Sequence, residues 1–165
     1  MCARIIMAKR KSRKRSKRRS SIPKHYTGKL SRKDKKSQLK ELKKSQRDYK
    51  EGKYHSRKKM KSFKSKKSGW TQQFKKKYPE AKTLSEISKA TKIPKGALSA
   101  VKKKGMGAYF SSGSRPNQTA ESWGLARMYS YILGGPTRKV DRHITQKYKV
   151  KFRVKQNYYS YQKKI

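Results

Sequence analysis

The chain has 165 residues, of which 51 are Lys or Arg and 8 are Asp or Glu, giving a formal net charge of +43. Only 31% of the residues are apolar, which excludes a core that buries the whole length. Charge of this size calls for a polyanion or an acidic surface in use: nucleic acid first, then an anionic membrane face or an acidic protein shell.

The lone cysteine, Cys2, excludes disulfide and thiolate–zinc frameworks and fits a reducing compartment. No apolar run approaches the roughly 20 residues of a bilayer span. Residues 2–8 are too short for the apolar region of a signal peptide. The expected protein is cytosolic, nuclear or packaged, and soluble when bound. Its expected fold is mainly α, in four parts: a basic extended arm (1–30), a basic helix with an aromatic-containing linker (31–80), a small helical core domain (81–144) and a strand-forming tail (145–165).

In chain order, residues 9–21 (KRKSRKRSKRRSS) alternate basic residues with serine and present no apolar face, so they read as disordered in isolation. Residues 31–52 read as a helix. Ser31 caps it, Asp34 three residues on completes a capping-box-like pair, Leu39, Leu42 and Tyr49 lie roughly on one side, and Gly52 stops it. Its apolar stripe is thin, so it needs a surface to lie on. Residues 54–70 space Met60, Phe63 and Trp70 among lysines. Aromatics amid basic charge either stack on bases or anchor an extended arm in protein pockets.

Thr83 and Glu86 form a capping box for a helix from Leu84, and residues 91–94 break it. Pro94 suits the first turn of a second helix that Gly105 would end. Leu84, Ile87, Ile93, Leu98 and Val101 would share a core. Two short helices joined in this way resemble a helix-turn-helix, although Lys92 occupies the usual turn-glycine position and Ser88 a common alanine position. In such a unit Lys95, Ser99, Lys102 and Lys103 would face DNA; as a plain hairpin it would only build core. Residues 105–118 read as a glycine-permitted loop, in which Ser111, Ser112, Ser114 and Arg115 either satisfy backbone groups or cradle an anion.

Residues 119–136 give a central helix, capped by Thr119 and stopped at Gly134-Gly135-Pro136, with Trp123 and Tyr129 as core. At residues 147–155 the period changes to two. Tyr148, Val150, Phe152 and Val154 share one face, which predicts a strand that docks on another protein.

No catalytic constellation is present. His25, His55 and His143 lack metal-ligand spacing, and Asp141 with His143 has no nucleophile beside it. The reading is non-enzymatic, with no cofactor and no small-molecule substrate.

The run Gly105, Gly107-Ala108-Tyr109, then Ser111-Ser112-Gly113-Ser114-Arg115-Pro116 and Ser122-Trp123-Gly124 resembles the hallmark of an uncharacterised basic protein family. That family belongs to large double-stranded DNA viruses of the chlorella-virus and mimivirus groups, and the resemblance covers residues 28–144. The family has no assigned activity; what it implies is a viral context. Two functions then compete. The favoured one is a minor capsid protein on the inner side of an icosahedral shell, bridging the acidic surfaces of capsid proteins and internal polyanions, with the anionic internal membrane as a further contact. The other is a helix-turn-helix protein that condenses double-stranded DNA and is packaged with it.

Overall fold

Local capping chemistry sets three of the helix starts among the described residues. The structure, a computed structural model, describes residues 22–154. After a single 3-10 turn at Lys24–Tyr26, α1 spans Arg32–Lys50, α2 Gly69–Lys77, α3 Leu84–Thr91, α4 Lys95–Ser111, α5 Ala120–Ile132, α6 Thr137–Val140 and α7 Arg142–Lys147. Among the described residues the regular structure is entirely helical. Ser31 Oγ accepts from Asp34 N at the start of α1. Full capping boxes open α3, with Thr83 and Glu86, and α5, with Thr119 and Ser122.

The helix ends are equally local. Gly52 and Gly134 sit at positive φ one residue past the caps of α1 and α5. The next amides, Lys53 N and Gly135 N, reach back to Asp48 O and Ser130 O, which closes a Schellman motif at each end.

α4 and α5 form the centre. A Cβ on Gly105 would lie 2.7 Å from Gly124 Cα, and one on Gly124 would lie 2.7 Å from Lys102 O. The two backbones therefore cross where neither helix has a side chain. Around that crossing Ile87, Ile93, Leu98, Val101, Met128, Tyr131 and Ile132 are buried. Phe74 of α2 stacks on Tyr129 with centroids 4.2 Å apart.

α1 lies on α4 through an unusual stripe: its buried residues are Gln38, Leu42 and Ser45. The polar members have partners. Ser45 Oγ donates to Phe110 O at the end of α4, and Gln38 Nε2 donates to Ser114 O and Tyr26 O. The last carbonyls of a helix have no partner within it, so α1 supplies donors to them. The extended segment between α1 and α2 is fixed by Asn117, whose Oδ1 accepts from Met60 N while its Nδ2 donates to Met60 O and Phe63 O.

Three expectations change. Gly105 does not end α4; it is buried mid-helix, and the helix runs six residues further, so the predicted loop shrinks to its last part. Residues 24–80, assigned to the end of the arm and to a basic helix with its linker outside the core domain, pack on the helical domain, with Tyr26, Leu42, Met60 and Phe74 buried. The predicted strand is absent over the described part of residues 147–154. α7 runs to Lys147, Lys149 takes φ 47°, and Val150 N reaches back to Thr145 O. That Schellman closure breaks the alternation, and Tyr148, Val150 and Phe152 pack on the protein's own core instead. The basic stretch at residues 9–21 and the tail beyond Val154 lie outside the described residues.

Candidate polyanion-binding surface

The charge of the folded part is largely unneutralised. Residues 22–154 hold 38 of the Lys and Arg residues and all 8 acids. Among the described residues only Arg47, Lys53, Lys102, Lys104 and Arg127 lie within ion-pair distance of a carboxylate. Several of the acids are turned to internal work. Asp34 accepts from Ser62 N and Oγ, bonds that hold its carboxyl below the usual range. Glu86 closes its capping box. Burial would raise the pKa of Glu41, but bonds from His55 at 2.8 Å and Lys58 N outweigh it and leave the carboxyl depressed.

The α3–α4 unit supplies the first group of predicted contacts. Lys92 adopts φ 59°, the left-handed conformation that the turn needs and that glycine usually provides. Ser88 Oγ donates to Ile93 O at 2.7 Å and ties the turn to α3. On α4, Lys95 and Lys103 are exposed and Ser99 is half-buried. Lys102 is not free: its Nζ pairs with Glu121 at 2.9 Å, on the side where α5 crosses. Thus α5 covers part of the face that would enter a groove.

The second group lies past the far end of α4. Ser114 is buried, accepts from Arg57 Nη2 at 2.9 Å and donates to Arg115 O, so its hydroxyl belongs to the loop rather than to an open cradle. Arg115, Ser111 and Ser112 are exposed. A 17-residue helix is about 25 Å long, so Lys95 and Ser114 flank α4 and do not form one site.

Sequence reasoning missed Arg57. Its guanidinium lies 3.6 Å from the centre of the Tyr109 ring, and Nη1 is buried with no hydrogen-bond partner. Burial lowers its pKa, and Tyr109 opposes that shift. Ser56, Arg57, Lys59, Phe110, Asn117 and Gln118 line part of a cleft of about 130 Å³. The available signal was the alternation of basic and aromatic residues over 54–63, which does not say which side chains turn inward.

The C-terminal candidates face inward. Val150 is buried, while Tyr148, Phe152 and Val154 are half-buried. The Arg138 guanidinium sits 3.7 Å from the Phe152 ring centre and donates to Tyr131 O, Ile132 O and Val154 O. Asp141 pairs with Arg127 through two 2.9 Å bonds and with Lys104 at 3.2 Å. His143 contacts Lys104 rather than Asp141. Among the described residues no group of three or more His, Cys, Asp or Glu could hold a metal, and no helix is long and apolar enough to cross a membrane.

No curated protein and no solved structure matches the chain. Residues 23–158 match DUF5824, a family of unknown function, and a match over that much of the chain makes this protein a member of that family.

Proposed function

We propose that the protein is a non-enzymatic nucleic-acid-binding structural protein, packaged with the genome of a large DNA virus. The observation that carries this reading is the folded domain's charge: 38 basic residues on residues 22–154, of which only five lie near a carboxylate among the described residues. A rigid helical scaffold that displays so many lysines neutralises phosphates over its surface, and the counterions released supply affinity without a sequence code. Lys95 and Lys103 on α4 and Arg115 beyond it are exposed members of that surface. The viral setting rests on the resemblance of residues 28–144.

The competing reading, a minor capsid protein on the inner side of an icosahedral shell, uses the same charge against acidic capsid surfaces or the internal membrane. It loses one support, because Tyr148, Val150 and Phe152 pack on the protein's own helices. Stripping of purified particles, nuclease digestion and cross-linking mass spectrometry separate the two. Release with the genome after nuclease is the expected result. Cross-links from Lys149 and Lys151 to shell proteins that persist after nuclease would favour the capsid reading, and absence from particles would overturn both.

A further inference from the structure

The basic–aromatic segment after α1 resolves into two behaviours. Met60 is buried and clamped by Asn117, so it anchors the chain. Tyr54 instead stands 72% exposed, the most exposed aromatic among the described residues. It is nevertheless held. Its ring meets Phe110 edge-on at 5.1 Å and Tyr49 at 6.1 Å, while Phe110 stacks on Tyr49 with planes 9° apart and is braced by Tyr109 at 5.0 Å. An exposed ring in a braced cluster offers a π-face at little entropic cost.

The cleft lies beside this cluster, since Phe110 is part of its wall together with Arg57 and Lys59. The charge along this segment is strongly one-sided, and the two α1 carboxylates beside it, Glu41 and Asp48, face His55. Residues 50–67 contain nine Lys or Arg and one acid, Glu51, which pairs with Lys53. An exposed ring packed on Phe110, beside a cleft that Phe110 and Lys59 help to line, matches one ligand chemistry: a flat aromatic group joined to an anion.

We propose that Tyr54 and Phe110 form a stacking platform for an unpaired nucleobase of a single-stranded nucleic acid, with the adjoining phosphate held at the exposed Lys59. The proposal rests on the nucleic-acid reading above and narrows it. A duplex keeps its bases stacked and paired, so it can reach the lysines but not the platform, whereas a single strand uses both. An acidic peptide would use only the charge.

The test is fluorescence anisotropy on the full chain, with an oligothymidine strand and a blunt duplex of two complementary strands carrying the same number of phosphates. Tyr54→Ala is expected to weaken single-strand binding roughly tenfold while leaving duplex binding unchanged, and Tyr54→Trp is expected to retain it. Lys59→Gln is expected to lower the salt slope for the strand by about 0.7. A strand carrying 2-aminopurine gives a second readout on the unaltered protein, with quenching expected on binding. No effect of Tyr54→Ala, an equal loss on both probes, or unquenched emission overturns the platform and leaves the nucleic-acid reading standing. If polyglutamate of equal charge competes as well as either nucleic acid, the nucleic-acid reading itself fails and the platform falls with it.

Discussion

Asp141 is fully buried, and its carboxylate holds α5 to the α6–α7 corner through Arg127, and to α4 through Lys104. Burial would raise its pKa, but the Arg127 fork and Lys104 outweigh it and hold the carboxyl below the usual range. A carboxyl depressed on folding contributes stability that is complete above the unfolded pKa of about 4 and is lost as pH falls through the lower folded value. Urea unfolding at neutral and acid pH should therefore show stability falling with acid. In Asp141→Asn the fall should be shallower, after a loss of roughly 3 kcal/mol at neutral pH. An unchanged acid dependence would show that other carboxylates, such as Glu41, carry the effect. Arg138 is a second buried charge, held by three carbonyls rather than by a carboxylate. Arg138→Met keeps the stem but strands Tyr131 O and Ile132 O, so it should cost about 2–4 kcal/mol in a denaturant titration. Neither role was legible in the sequence. Asp141 stood out only for its neighbour His143, while its partners come from helices 14 and 37 residues away.

The starts of α1, α3 and α5 were legible, while α2, α6 and α7 and some helix lengths were not. Thr83–Glu86 and Thr119 cap as their local patterns predict, because capping is decided within four residues, whereas Ser31 caps without its expected pair, since the Asp34 carboxylate turns to Ser62. Gly105 was misleading because glycine carries two meanings. At a helix end it frees φ; inside α4 it lets another backbone approach, and that depends on Gly124 in a different element. Gly124→Ala should drive a methyl into Lys102 O and Met106, costing about 1–3 kcal/mol and lowering the thermal midpoint. α2 went unseen because, as an apolar stripe, it offers little beyond Phe74, Trp70 and a half-buried Tyr78. Over the described residues the strand is absent for the opposite reason: alternation over residues 148–154 is real, but α7 and its left-handed Lys149 claim the first part of it. Lys92 and Lys149 both hold positive φ where glycine is favoured, so Lys92→Gly and Lys149→Gly should each stabilise by about 1 kcal/mol. A destabilisation would mean that the lysine side chains contribute more than their backbone strain costs.

At the scale of the whole molecule, composition gave the excess of basic charge but not how much of it is carried on folded structure. Low apolar content suggested a small anchor carrying a long arm. The domain instead extends back to the 3-10 turn at Lys24–Tyr26, because α1 buries glutamine and serine against helix-end and loop carbonyls rather than a hydrophobic stripe. Counting apolar residues cannot detect a contact of that kind. The consequence is functional: a large basic surface rides on a folded scaffold, so its lysines are positioned and their spacing is fixed. The most direct measurement is the affinity of the full chain for a short DNA duplex across a salt series, set against polyglutamate of equal charge. The account predicts that the duplex binds more tightly and loses about 10³–10⁵ in affinity between 50 and 200 mM salt. Binding that is insensitive to salt, or a preference for the polypeptide, would contradict it.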